Sequence, residues 1–171
     1  RFLSSRAGLP RLPGKEPVAC RARVRDDGAV ERGRRRTVSA RPAGALPRFD
    51  VYCVVRNEER ILPHFLHHYA FASRIVLFDN HSSDNTRAIA ESFHNVEVRP
   101  FGRPGRCSER ELTKLRNTCW HESRGRADWV AIVDVDEFLY HRRFPDLRQY
   151  LRRCEEAGVT IAVPTGLQMI S

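Results

Sequence analysis

The 171-residue sequence lacks the patterns that mark several large classes of protein. No apolar run approaches the roughly 18 residues needed to cross a bilayer, so we expect no transmembrane segment. The cysteines number five, an odd count, and include no C-x-x-C pair, which argues against a disulfide framework and a cysteine-based zinc site. This cysteine usage predicts a reducing, cytoplasmic location for the protein.

Two glycine-rich phosphate-binding motifs are also missing. The sequence contains neither G-x-G-x-x-G nor a Walker-type glycine loop with its lysine, so dinucleotide-binding and P-loop classes lose their main support. The first residues lack an initiator methionine and the apolar stretch of a signal peptide. Since the last residues before Ser171 form an apolar segment, we expect the chain to be a fragment at both ends.

The excess of positive over negative charge is confined to an Arg-, Pro- and Gly-rich leader, residues 1–48, with a possible hairpin at 18–38. The leader holds 13 Lys and Arg against 4 Asp and Glu, whereas residues 49–171 hold 17 of each. The net charge of +9 therefore belongs to the leader alone. Because its Arg-rich run has no interleaved aromatic residues for base stacking, we do not expect a nucleic-acid partner. A polyanion-binding protein acting through the leader stays an alternative interpretation.

Apolar runs alternate with helical patterns in residues 49–171, which predicts one α/β domain. Strands are expected at 51–55, 74–78, 96–98, 129–133 and 159–163, and helices at 58–72, 84–93, 108–123 and 146–158. We expect Asp84 and Asp146 to cap their helices and Ser108 to form a capping box with Glu111. Strands joined by helices pair in parallel, so the predicted sheet is mostly parallel and flanked by helices. The continuous apolar run at 129–133 predicts a strand buried on both faces.

Polar side chains follow three of these strands, where each strand ends. They are Arg56, Asn57 and Glu58 after the first strand, Asp79 and Asn80 after the second, and Asp134, Asp136 and Glu137 after the fourth. Ligands of open α/β sheets bind at this carboxyl edge. Three carboxylates within four residues repel one another unless a cation lies among them. Mg²⁺ or Mn²⁺ suits that demand, since both prefer oxygen ligands and leave positions free for phosphate. The pattern therefore predicts a divalent cation that holds a diphosphate.

Four ordered segments carry a resemblance to a known family. They are residues 51–59, LFDNHSSDNT at 77–86, LRN at 115–117 and DWVAIVDVDEFL at 128–139. Their order and spacing resemble family 2-like glycosyltransferases, in the branch whose metal motif reads D-x-D-E-F. The resemblance implies a GT-A-like, Rossmann-type domain over residues 49–171. It also implies transfer of a sugar from a nucleotide-diphosphate donor, usually a UDP-sugar, to a hydroxyl of a glycan or other acceptor.

The same resemblance implies roles for residues that would bind the nucleotide. Asp79 would bond the base, Asn57 and Glu58 would line the nucleotide pocket, and Arg116 would lie near the base and diphosphate. Two plainer interpretations stay open for this set. Asp79 could merely end its strand and accept hydrogen bonds from loop amides, and Arg116 could form a surface ion pair with an acidic residue of its helix.

The metal and the catalytic base are implied in the same way. Asp136 would ligate Mn²⁺ or Mg²⁺, and Asp134 would contact the ribose or a metal-bound water. An inverting mechanism needs a carboxylate base to deprotonate the acceptor. The family carries that base downstream of its metal motif, so we expect it beyond Ser171. Glu137 is the local candidate, but its position favours a supporting carboxylate.

Two features of the sequence bear on alternatives to this assignment. His81 and Asn85 stand where many family members have glycines, so the backbone of the loop that contains them is expected to have fewer accessible conformations.

A nucleotidyltransferase is the nearest enzymatic alternative, because related α/β domains hold triphosphates with similar carboxylates. It would carry a glycine-rich phosphate loop after the first strand, and residues 56–59 contain no glycine.

Overall fold

The computed structural model describes residues 41–42, 44–104 and 108–166. These residues form strands that alternate with helices. The strands are β1 (Phe49–Val55), β2 (Arg74–Asp79), β3 (Val96–Pro100) and β4 (Trp129–Ile132). The α-helices are α1 (Leu62–His68), α2 (Thr86–Glu91), α3 (Glu109–Thr118) and α4 (Leu147–Glu156), and the 3-10 helix Cys119–Ser123 continues α3. The hairpin pattern at 18–38 lies outside the described residues.

The strands form one parallel sheet in the order β3-β2-β1-β4. β1 lies between β2 and β4, with Val55 opposite Asp79 and Tyr52 opposite Ile132. Since every pair is parallel, the strands all end at the same edge. The predicted α/β class with a parallel sheet flanked by helices is confirmed.

The core lies on both faces of β1, because successive side chains of a strand point to opposite faces. One face carries Val51, Cys53 and Val55, which belong to the larger apolar cluster. Buried side chains of α1 and α4 join that cluster: Leu62, Phe65, Leu66, Leu147 and Leu151. The other face carries Tyr52 and is covered by the α3 side, including Leu115 and Trp120. This packing fixes where the ends of β1 and its neighbours lie.

Three predicted helix starts have different outcomes. Asp146 caps α4 as predicted, since its side chain accepts a hydrogen bond from the Arg148 backbone N–H at 2.9 Å. Ser108 occupies the N-cap position of α3, but its side chain makes no capping hydrogen bond, so the predicted capping box does not form. α2 begins two residues after Asp84, whose carboxylate accepts a hydrogen bond from the Thr86 N–H at 3.0 Å.

The first predicted helix is longer than the helix in the structure. The helix predicted at 58–72 is a turn at 58–61 followed by the shorter α1, which carries a proline in its first turn. Proline is common at that position because a backbone N–H there would have no partner within the helix. The longest α-helices of the described segments have ten residues, and none of those segments holds a helix able to cross a membrane.

Two predictions about strands were wrong. β4 is an edge strand rather than one buried on both faces, and its Ile132 is 38% exposed. An apolar run of that length does not by itself distinguish a central strand from an edge strand. Residues 159–163 form no strand, and Val159, Ile161 and Val163 are exposed. Their β-branched side chains favour an extended chain, but no described strand pairs with it.

Candidate functional site

A cleft of about 540 Å³ lies at the carboxyl edge of the sheet. Its lining brings together residues that follow β1 and residues that follow β4: Val54, Asn57, Glu58, Arg60, Ile61, Asp134, Val135 and Asp136. Four predicted site residues, Asn57, Glu58, Asp134 and Asp136, are thus in one cleft although they are about 80 positions apart in sequence. Asp79, Arg116 and Glu137 are outside this lining.

Residues 134–137, called the acidic turn below, close on themselves through two hydrogen bonds. The Glu137 N–H donates to the Asp134 carbonyl at 2.9 Å, and the Asp134 N–H donates to the Glu137 carboxylate at 3.0 Å. Val133, just before the turn, and Val135, within it, are buried in the larger core cluster and fix the turn to the core. Asp136 is exposed beside them. The Glu137 carboxylate therefore has a structural task in the turn.

Arg116 reaches the acidic turn from the last turn of α3. Its guanidinium forms an ion pair with Asp134, not with an acidic residue of its own helix. Both side chains are about half exposed, at 42% for Arg116 and 50% for Asp134. An ion pair this exposed contributes little to stability, so the guanidinium is free to exchange its partner for another anion.

The remaining carboxylates of the cleft have no such partner. Burial raises the pKa of Glu58, and the nearby charges of Asp136 and Asp84 raise it further. Neither Glu58 nor Asp136 forms an ion pair with any residue in the described ranges. A carboxylate that is partly buried near other carboxylates is stabilised by a cation, which is the electrostatic basis of a metal or Arg/Lys site.

The polar residues at the end of β2 are buried and lie outside the lining of the cleft. Asp79 is only 7% exposed, and its Oδ1 accepts a hydrogen bond from the Ser82 N–H at 3.1 Å. This contact is the plainer of the two roles considered for Asp79, and it leaves Oδ2 for a further donor. The next residue, Asn80, is 2% exposed, and its Oδ1 has no hydrogen-bond partner among the described residues. The sequence placed Asn80 among the polar residues at this edge but gave it no role, because an asparagine after a strand is typical of an ordinary turn.

The loops after β1 and β2 form one unit with an unusual backbone. Asn57 and His81 have φ angles of 56° and 54°, in the left-handed region that non-glycine residues seldom adopt. The Asn57 side chain accepts a hydrogen bond from the Ser83 N–H at 2.8 Å, and the Asn57 N–H donates to the Ser82 hydroxyl at 2.9 Å. His81 thus adopts the conformation for which a glycine would be better suited. Backbone strain of this kind concentrates at functional sites.

The described residues contain no group of three or more His, Cys, Asp or Glu side chains placed to hold a metal ion. Two histidines of α1 have ring nitrogens that contact backbone carbonyls. His67 is exposed and His68 half-buried, and their ring nitrogens contact the Pro63 and Leu139 carbonyls. A cation at the acidic turn would therefore need ligands besides the His, Cys, Asp and Glu side chains of the described residues.

A comparison with known protein families covers most of residues 49–171. The sequence model of glycosyltransferase family 92 matches residues 51–164, a range that contains every predicted site residue. Among solved structures, the chain is similar to the mannosyltransferase PcManGT from Pyrobaculum calidifontis in complex with GDP-Man and Mn²⁺. That similarity has 20% sequence identity and a TM-score of 0.41, and it covers 58% of this chain and 30% of the mannosyltransferase.

Proposed function

The chain belongs to glycosyltransferase family 92, and from this premise we propose that its cleft binds the nucleotide diphosphate of a sugar donor, a UDP-sugar in the first instance. The proposed reaction transfers the sugar to a hydroxyl of a glycan or other acceptor. The family match supports the resemblance to glycosyltransferases but gives no support to its family 2 branch.

One observation carries the proposal. Asn57 and Glu58 after β1 meet Asp134 and Asp136 after β4 in a single cleft of about 540 Å³. This volume lies in the range of small-molecule sites, which runs from about 300 to 1,000 Å³. A polar cleft at the carboxyl edge of a parallel sheet is the usual position of a nucleotide site in this class of fold.

The donor set of the acidic turn fits a divalent cation that is shared with the substrate. Mg²⁺ commonly binds through one or two carboxylates together with substrate phosphates. Asp136 and Asp134 supply two carboxylates, and the charge of Asp136 adds to the effect of burial in raising the pKa of the neighbouring Glu58. Since the described residues offer no group of three such ligands, phosphate oxygens would have to complete the coordination. When bound, such a cation, Mn²⁺ or Mg²⁺, would offset the charge that gathers on the departing diphosphate.

The other proposed roles follow from the contacts already described. Asp79 retains Oδ2 to accept a hydrogen bond from the base, since its Oδ1 is used by Ser82. Arg116 would exchange Asp134 for the diphosphate, which offers more negative charge and a geometry matched to a guanidinium. Because its carboxylate holds the turn, Glu137 is proposed as a support and not as the base.

The proposal is tested by comparing UDP, UMP and uridine as ligands in the presence of Mn²⁺. We expect the affinity to fall in that order, because each step removes a phosphate from the cation and from Arg116. Arg116→Gln should reduce the preference for UDP over UMP about tenfold, the value of one charge-assisted hydrogen bond. Arg110→Gln, an exposed change on the same helix, is the matched control. Equal affinities for UDP and uridine would contradict a diphosphate site.

A further inference from the structure

The chain that leaves the acidic turn is held by two side chains at the end of α1. The Tyr69 hydroxyl donates to the Glu137 carbonyl at 3.0 Å and accepts a hydrogen bond from the Leu139 N–H at 2.9 Å. His68 Nε2 donates to the Leu139 carbonyl at 3.0 Å. Both backbone polar groups of Leu139 and the carbonyl of Glu137 are therefore satisfied by His68, the last residue of α1, and by Tyr69, which follows it.

Tyr69 itself is rigidly placed. It is fully buried, and its ring lies 4.8 Å from the Phe65 ring and 6.1 Å from the Phe71 ring between centroids. Burial raises the pKa of Tyr69 to about 12, so the hydroxyl keeps its proton at neutral pH. One hydroxyl thus serves as donor and acceptor to two backbone groups of the same short segment.

The Asp136 side chain has no comparable contacts of its own in the described part of the chain. It is exposed and forms no ion pair or hydrogen bond with the described residues. Its position in the cleft is set by the backbone on either side. Val135 is buried on the upstream side, and the contacts of His68 and Tyr69 hold the downstream side.

We propose that Tyr69 is a positioning residue for the acidic turn. Its hydroxyl fixes the backbone between Glu137 and Leu139 and thereby the direction in which Asp136 faces the cleft. The ligand in this inference rests on the proposed function, but the backbone contact does not. Removing the hydroxyl should weaken Mn²⁺-dependent binding of UDP, although Tyr69 lies outside the cleft lining.

Tyr52 offers a matched control on the opposite face of the sheet. It is 1% exposed, and burial raises its pKa to about 12 as well. Its hydroxyl contacts Ser123 at 2.7 Å, Arg74 at 2.7 Å and Glu122 at 3.0 Å. Tyr52→Phe therefore removes an equally buried hydroxyl that has no contact with the acidic turn.

The test measures UDP binding as a function of Mn²⁺ concentration for the full chain, Tyr69→Phe and Tyr52→Phe. We expect Tyr69→Phe to raise the Mn²⁺ concentration for half-maximal UDP binding roughly tenfold, the lower end of the effect of losing a group that supports a metal ligand. Tyr52→Phe should shift it less than about twofold, since its partners lie away from the site. Equal shifts in the two variants, or none in Tyr69→Phe, would overturn the inference.

Amide hydrogen exchange separates this inference from the proposed function. Tyr69→Phe should expose the Leu139 N–H to faster exchange, whether or not the protein binds UDP. Failure of the unmodified chain to bind UDP would contradict the proposed function alone. An exchange rate of the Leu139 N–H that is the same in Tyr69→Phe and in the unmodified chain would overturn the positioning role.

A second pair of variants applies if Tyr69→Phe does not fold. His68→Ala removes the hydrogen bond to the Leu139 carbonyl and the packing of the His68 ring against the Tyr69 and Phe138 rings, but it keeps the Tyr69 hydroxyl. We expect a smaller shift in the same direction. His68→Gln keeps an N–H donor and should restore binding. No shift in His68→Ala, or no recovery in His68→Gln, would count against the inference.

Discussion

At the amino end of the sheet Asp50 lies buried between Arg74 and Ser123, whereas at the carboxyl end Asp136 is exposed and has no ionic partner among the described residues. Asp50 is 4% exposed and accepts hydrogen bonds from the Ser123 hydroxyl at 2.6 Å and from Arg74 at 3.2 Å. The same sheet thus carries a closed network at one end and an open acidic cleft at the other.

Two glutamates show the same difference through their pKa values. Burial alone would raise the pKa of Glu122, but hydrogen bonds from Arg99 and Tyr52 outweigh burial and hold it below the ordinary value. At the cleft, burial and the charge of Asp136 raise the pKa of Glu58. Paired charges at the amino end stabilise the fold, whereas unpaired charges at the cleft reduce stability and are available to a ligand. Such a reduction is the usual cost of a functional site.

The largest expected effect is a loss of stability at the amino end. Asp50→Ala leaves Arg74 without its most buried partner, and breaking a pair of this kind costs about 3 kcal/mol of the free energy of unfolding. Urea unfolding measures the change. Asp136→Ala is the matched control and should stay within about 0.5 kcal/mol of the unmodified chain, as exposed substitutions do. Comparable losses in both variants would remove the distinction between the two ends.

The pH dependence of stability provides a second, smaller test. Glu122→Gln should lower the free energy of unfolding by about 1 kcal/mol at pH 7, the net value of a typical hydrogen bond. Because the pKa of Glu122 is lowered on folding, its contribution is present above the ordinary glutamate pKa of about 4.3 and is lost as the pH falls through the lowered value. The difference between Glu122→Gln and the unmodified chain should close in that acidic window.

Glu58→Gln should act with the opposite sign. A carboxylate whose pKa is raised on folding destabilises the folded state once it is ionised, so the glutamine variant should be more stable by about 0.5 kcal/mol at pH 7. This gain should vanish as the pH falls through the raised pKa toward the ordinary value. Urea unfolding between pH 3 and 7 measures both variants, and a loss of stability in Glu58→Gln at pH 7 would contradict the unpaired state of the cleft.

The smallest effect concerns the backbone at the carboxyl end. A left-handed φ costs a non-glycine residue about 1–2 kcal/mol, and the extra freedom of glycine in the unfolded chain offsets about half of that. His81→Gly should therefore raise stability slightly, whereas His94→Gly, at an exposed turn with an ordinary φ, should lower it. Thermal unfolding of the two variants measures the contrast. Equal losses would indicate that the backbone at His81 is unstrained.

Sequence patterns predicted the elements whose signal is local. β1 and β2 are apolar runs that end at polar residues, and those residues mark the carboxyl edge because parallel strands end together. The edge position of β4 and the exposed chain at 159–163 were not predictable, since the partners of a strand are not written in its own residues. The contact of Tyr69 with Glu137 spans 68 positions and links a helix end to a turn that have no shared motif. The ion pair of Arg116 with Asp134 depends on packing across the sheet in the same way.

Titration calorimetry with UDP, in the presence and absence of Mn²⁺, tests the metal–diphosphate site most directly. It compares the unmodified chain with Asp136→Asn and with Asp146→Asn, a control in which asparagine can still cap α4. We predict that binding requires Mn²⁺, weakens by about a hundredfold in Asp136→Asn and is unchanged in Asp146→Asn. Binding of UDP without the metal, or an unaltered affinity in Asp136→Asn, would contradict this account of the acidic turn.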